Sequence, residues 1–184
     1  MPLLTVTGSN ALSENMPELE KQVRQALSNS GINFEYQLHP NKKSLDLVKK
    51  GLVGLDIARN PIAYKGNSNL IQLQPVLFTL NLVKITSTAN QKKCAYKQSK
   101  ESQLTLAGIL GAEFYRHFFQ DFTEYTELDT PADALRFVAV GRADFTFIPE
   151  SAFDQLSSEI RNKLHICESF NRELKFYSYL HKDF

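Results

Sequence analysis

Few residue groups in this chain have the types and spacing that chemistry demands. His39, His117, His165 and His181 are scattered, with no companion at metal-ligand spacing. Cys94 and Cys167, even taken with His165, match no structural zinc pattern. The histidines read as solvated or core residues, and no metal is expected. Gly-x-Ser-x-Gly, Walker-type and dinucleotide glycine signatures are missing, and Gly108-x-x-Gly111 is too short to cradle a pyrophosphate, so no cofactor is expected. The carboxylates most suited to proton transfer are Glu113 and Glu150, each at a predicted helix start. Acid–base work would need one of them to titrate near neutrality. Phe114, Tyr115, Phe118 and Phe119 recur at helical spacing and read as core, whereas Tyr64 and Phe78 are candidate stacking platforms for a ligand.

Those residues need a scaffold, and the chain alternates strand-like and helix-like pieces. Leu3–Gly8 is a short β-rich run. Glu14–Ser28 carries Leu19, Val23, Ala26 and Leu27 at helical spacing and ends at Asn29-Ser30-Gly31. Ile32–Leu38 alternates with period two, Pro40 closes it, and a short helix runs to Lys50. Gly51 suits the residue after a helix, and LVGLDIA then reads as a strand into Arg59-Asn60-Pro61. Leu70–Thr86 is too long and too β-rich for one ordinary strand, and Pro75 marks an edge or break in it.

The alternation then restarts. Leu104–Leu110 reads as a strand, Gly111 opens an aromatic helix through Phe119, and FTEYTEL reads as a strand. Thr130-Pro131 starts a helix in the preferred cap order. Gly141 ends that helix before the buried strand DFTFIP, Ser151–Lys163 is helical, and ELKFYSYLHKDF closes the chain as an alternating strand. SLDLVKKGLVGLDIARNPIA (Ser44–Ala63) and DALRFVAVGRADFTFIPES (Asp133–Ser151) are thus the same helix–glycine–strand–proline unit, about 90 residues apart. Short β-α-β connections of this kind imply parallel sheets covered by helices. The expected fold is α/β with two lobes, residues 1–82 completed by 172–184 and residues 83–171. The crossings fall near Leu77–Ile85 and Phe170–Phe176, and a ligand cleft is expected between the lobes.

Composition sets the outer limits. The 184 residues suffice for a sizeable core, and 42% apolar with 22% charged residues is ordinary for a globular protein. The net charge is +1, and the densest basic cluster (Lys92, Lys93, Lys97, Lys100) lies in a polar, loop-like segment, too small a footprint for nucleic-acid binding. No run of about 18 apolar residues exists, so no membrane insertion is expected. Two cysteines allow one intramolecular pairing. They read either as two buried thiols or as a bridge closing a long loop.

The two repeated runs, in their order and separation, resemble type II periplasmic solute-binding proteins of the amino-acid-binding group, and the likeness covers Leu3 to Leu180. Gly141-Arg142-Ala143-Asp144 followed by a strand is the motif within the second run that adds to it. The resemblance implies non-catalytic binding of a small polar or anionic solute by hinge closure, for ABC-type uptake or as a sensory domain. It also implies a transporter or receptor as membrane partner and a periplasmic location with the leader removed; a cytoplasmic location is the alternative. By the same likeness Arg59 would clamp a ligand carboxylate through its planar fork. The alternative is a surface arginine paired with a nearby acid. Ser9, Asn10 and Asn60 would line the rim, and the Gly111-Ala112-Glu113 helix start would support an anion.

This chain departs from the family pattern at several of those places. Ala112 replaces a hydroxyl residue, and Glu113 would repel an anion. Pro149 stands where an aspartate commonly meets the ligand amino group, with Glu150 next to it, and Gly54 stands where an aspartate is usual. A catalytic relative acting through Glu113 and Glu150, of dehydratase type, and a degenerate module that binds a protein partner are the competing readings.

Overall fold

The computed structural model describes residues 3–95, 104–120, 122 and 124–184. Lys97 and Lys100 of the basic cluster and Thr123 of the FTEYTEL run lie outside the described residues. The chain divides into two compact units, Met1–Thr79 with Lys175–Phe184, and Leu80–Leu174.

In the first unit, β1 (Leu4–Ser9) leads into α1 (Asn10–Asn15) and α2 (Pro17–Asn29), then β2 (Phe34–His39), α3 (Asn41–Lys49) and β3 (Leu55–Arg59). The sequence predicted a single helix where two stand. Ser9 caps α1 through a 3.1 Å bond accepted from the Leu12 amide, and Pro17 opens α2 afresh after Met16 leaves helical geometry. Gly51 ends α3 at φ 68° and turns the chain toward β3. A 3-10 turn (Pro61–Tyr64) follows, and then β4 (Leu70–Gln72). The over-long apolar run is broken as Pro75 suggested: the Gln74–Pro75 bond is cis, and β5 (Phe78–Ser87) begins three residues later.

The first-unit sheet has the order β2-β1-β3, all parallel, and is extended by the last strand, β9 (Leu164–His181), antiparallel to β3 and β4. One face buries Leu45, Val48, Val53 and Tyr179 under α3; the other buries Val6, Leu12, Leu55 and Ile57 under α1 and α2.

The second unit repeats this plan. β6 (Thr105–Ile109), α4 (Phe114–Phe118), β7 (Glu124–Leu128), α5 (Pro131–Ala139) and β8 (Phe145–Pro149) succeed one another, and β7-β6-β8 are parallel. β5 is antiparallel to β8. Thr130 caps α5 through the Asp133 amide, and Gly141 ends it at φ 75°. α6 (Glu150–Asp154) and α7 (Ser158–Arg161) stand where one helix was predicted. Tyr115, Phe119, Phe145 and Phe147 fill the core, with the Phe119 and Phe147 rings stacked at 3.8 Å.

Cys94 and Cys167 are joined as a disulfide spanning 73 residues, so the bridged reading holds. It ties the 3-10 segment Thr88–Ala95 to β9. β9 itself starts nine residues before the predicted closing strand.

The Gly-Arg-x-Asp signal proves to be a strand bracket. The Asp144 amide donates to the Thr105 carbonyl and Oγ1, both at 3.0 Å, and Asp144 Oδ2 accepts from the Thr105 amide at 2.9 Å. Lys93 completes the bracket by an ion pair to Oδ1. Gly54 occupies the matching place in the first unit, its amide donating to the Thr5 carbonyl and Oγ1. A Cβ at Gly54 would lie 2.7 Å from the Phe184 ring and from Leu4, so any side chain there would require these two to shift.

Candidate functional site

In parallel α/β sheets the side chains that meet ligands gather beyond the carboxyl ends of the strands. The registers Ser9↔His39 and Thr7↔Asp56 put Ser9, His39 and the Arg59-Asn60 pair at that end of the first unit. In the second unit Ile109↔Leu128 and Ala107↔Thr146 put Gly111 and Pro149-Glu150 at the corresponding end. Every polar candidate from the sequence therefore falls on the carboxyl edge of its own unit.

Within the first unit the candidates separate into rim and support. Asn10, the first residue of α1, is exposed, and Ser9 beside it is buried and engaged as the helix cap. Asn60 is buried: its Oδ1 accepts from the Ile62 amide and its Nδ2 donates to the Lys175 carbonyl, both at 3.1 Å. Phe78 is half-buried and stacked on Phe176 at 4.7 Å.

The largest correction concerns Arg59. It is neither a surface arginine nor an open clamp, being 5% exposed with a partner on each nitrogen. Nε donates to Asp56 Oδ2 at 2.8 Å, Nη2 to Ser44 Oγ at 2.8 Å, and Nη1 to Asn41 Oδ1. Tyr64 is corrected likewise. Instead of a stacking platform it is a core residue, edge-on to Tyr179 at 4.7 Å, with its hydroxyl donating to Asp56 Oδ2 at 2.5 Å.

This buried network is electrostatically stiff. Burial disfavours the charged guanidinium, but Asp56 more than offsets it, and Arg59 holds its proton more tightly than a free arginine. Burial first, and then Asp56, push the Tyr64 phenol far above its usual range. The network pins the end of β3, the first turn of α3 and the 3-10 turn to one another, three segments that shape the carboxyl edge.

In the second unit Gly111 takes φ 76°, and the Ala112 amide donates to the Ile109 carbonyl at 3.0 Å. α4 has only five residues, with Glu113 at its N-cap position making no side-chain cap. The anion support expected at Gly111-Ala112-Glu113 is thus reduced to a short turn bearing a carboxylate. Glu150 is the exposed first residue of α6. Among the described residues no three His, Cys, Asp or Glu side chains are grouped to hold a metal ion, and no helix is long and apolar enough to cross a membrane.

Sequence reasoning missed Asp56, Asn41 and Ser44, which hold Arg59, and passed over His39 as a scattered histidine. The regular spacing of Glu35, Gln37 and His39 along β2 was the available signal for the last.

No family model and no curated protein matches the chain, and likeness appears in solved structures alone. The Bordetella pertussis BvgS VFT2 domain is similar at TM-score 0.66 and 16% identity over 99% of this chain and 82% of that one. The GluR0 ligand-binding core complexed with L-glutamate matches at TM-score 0.70 and 12% identity over 100% and 86%. The amino acid ABC transporter substrate-binding protein AbpA of Streptococcus pneumoniae, bound to L-arginine, matches at TM-score 0.70 and 12% identity over 98% and 82%. At such identities the likeness is one of fold, and the fold of this chain is the α/β fold of type II periplasmic solute-binding proteins.

Proposed function

We propose that the protein binds a small polar solute without transforming it, as the binding component of an uptake system or as a sensory domain. The observation that carries this reading is the placement of Asn10 in one unit and of Glu113 and Glu150 in the other, all at carboxyl strand ends on a binding-protein fold. Ser9, Asn60, Arg59 and Tyr64 hold the first unit's edge, Gly111 and Ala112 shape the second's, and Phe78 is the aromatic surface nearest to that role. With Arg59 satisfied internally and two carboxylates on the second edge, this balance of charge favours a solute with a cationic or hydrogen-bond-donating group over a plain anion. The disulfide fits an oxidising compartment such as the periplasm.

Thermal unfolding in the presence of amino acids, amines, carboxylates, peptides and sugars tests the proposal. A solute at 100 times its Kd adds about 2.7 kcal/mol, a rise of several degrees for a chain of this length. A saturable rise that shrinks in Asn10→Ala or Glu150→Gln, with the solute recovered unchanged, is the expected result. Turnover of the solute, lost in Glu150→Gln while binding persists, would make the protein an enzyme. No response to any solute would replace small-molecule binding by a protein-partner role.

A further inference from the structure

Strand β2 carries Glu35, Gln37 and His39 at every second residue, so the three side chains share one face. Gln37 Nε2 donates to Glu35 Oε1 at 3.1 Å, and Gln37 Oε1 lies 3.2 Å from His39 Nε2. The chemistry of these groups fixes the direction of the chain of bonds. A carboxylate only accepts, so the amide must turn its NH2 toward Glu35 and its carbonyl toward His39. A carbonyl also only accepts, so the proton of a neutral His39 ring must sit on Nε2. The lone pair is then on Nδ1, and among the described residues no hydrogen bond ends there. His39 is half-buried, closes β2 beside Ser9 in register, and stands on the carboxyl edge where solute binding is proposed.

We infer that His39 is a solute-contacting residue, held as the Nε2–H tautomer by the Glu35–Gln37 relay, with Nδ1 accepting a hydrogen bond from an N–H or O–H group of the solute. The inference rests on the solute-binding reading for its second half only. The relay favours donor-bearing solutes over those that offer acceptors alone, and Gln37 is the positioning residue that makes the ring selective.

Two measurements on the whole chain test the two halves separately. In the first, two-bond 1H–15N correlation spectra of the 15N-histidine-labelled protein are recorded with the ring neutral, and His39→Gln identifies the signals. The Nε2–H pattern is expected, collapsing toward a tautomer mixture in Gln37→Leu. An Nδ1–H ring, or a spectrum untouched by Gln37→Leu, overturns the relay.

In the second, L-arginine, L-glutamate and glycerol are titrated against succinate and acetate, which are acceptor-only when ionised. Binding of a donor-bearing probe should move the Nδ1 resonance and weaken roughly tenfold in His39→Ala, the size of one lost hydrogen bond. A probe that binds with Nδ1 unmoved and equal affinity in His39→Ala, or a preference for succinate or acetate, overturns the contact while leaving solute binding intact. If none of the probes binds the unaltered protein, the contact role of His39 falls with the solute-binding reading, and the tautomer spectrum still judges the relay.

Discussion

Arg59 Nε donates to Asp56 Oδ2 across 2.8 Å, although the two residues stand three apart on one strand. In a regular strand that spacing puts side chains on opposite faces. The register of β3 against β9 shifts between these two positions, and the irregularity re-aims one residue so that the pair closes. Both side chains are nearly out of solvent, and the carboxylate also takes the Tyr64 hydroxyl. A buried pair of this kind is costly to break from one side, because the partner is left as an uncompensated charge. Asp56→Ala should therefore cost about 3–5 kcal/mol, and Asp56→Ala with Arg59→Met distinctly less than the two single changes added together. Chemical denaturation of the four proteins measures this, and strict additivity would mean that the pair is not a unit.

Tyr64→Phe removes one charge-assisted hydrogen bond while leaving the ring against Tyr179. The expected cost is about 1.5–3 kcal/mol, with the fold otherwise intact by near-ultraviolet circular dichroism. A neutral result would show that the hydroxyl reaches water equally well.

The bracketing disulfide is accessible to a similar test. A 73-residue loop corresponds to roughly 4 kcal/mol in the chain-entropy treatment, or roughly 10 °C in Tm for a chain of this length. Reduction, and the double change Cys94→Ser with Cys167→Ser, should both lower Tm by that order. Equal Tm values with and without reductant would mean that the Lys93–Asp144 pair and the β9 ladder hold the segment unaided.

Much of this fold was legible. Gly51 and Gly141 announced helix ends, Thr130-Pro131 a helix start and Pro75 a break, because each acts through backbone geometry within a few residues. The candidate site was less so. Arg59 looked available since its partners Asn41 and Ser44 come from α3 and only tertiary packing brings them near. The glutamate at position 113 could be placed at a helix start, but nothing local told that the helix would last five residues. The GRAD aspartate stood in the sequence only as part of a family-like run, and its role as a bracket was hidden because its partner Thr105 lies 39 residues away.

Alkaline stability follows from the phenols. Burial is the main cause that raises Tyr36, Tyr64, Tyr115, Tyr125 and Tyr179 above the usual tyrosine value, Tyr179 to about 12. Between pH 10 and the folded values the unfolded chain releases protons that the folded chain keeps, so the unfolded state binds fewer and stability falls as pH rises. The contribution is fully present below pH 10 and is lost above it. These five tyrosines should therefore ionise only well above pH 10, and together with loss of circular dichroism. A single reversible titration of all seven tyrosines near pH 10 in the folded protein would contradict this.

The internal repeat makes one more prediction, and it is asymmetric. On β2 and β7 a tyrosine lays its hydroxyl over a glycine of the neighbouring strand, Tyr36 over Gly8 and Tyr125 over Gly108. A Cβ at Gly8 would stand 2.3 Å from the Tyr36 hydroxyl oxygen but 3.2 Å from the ring carbon bearing it. At Gly108 it would meet the Tyr125 hydroxyl at 2.3 Å and two ring carbons at 2.4 and 2.6 Å. Overpacking of this kind costs about 1–3 kcal/mol, so Gly8→Ala and Gly108→Ala should each lower stability. Adding Tyr36→Phe removes the one atom that clashes hard and should restore most of the Gly8→Ala loss. Adding Tyr125→Phe leaves the ring in the way and should restore little of the Gly108→Ala loss. Thermal melts of the two double variants decide it: rescue in both would mean that the Tyr125 ring moves aside freely, and rescue in neither that Gly8 is needed for more than room.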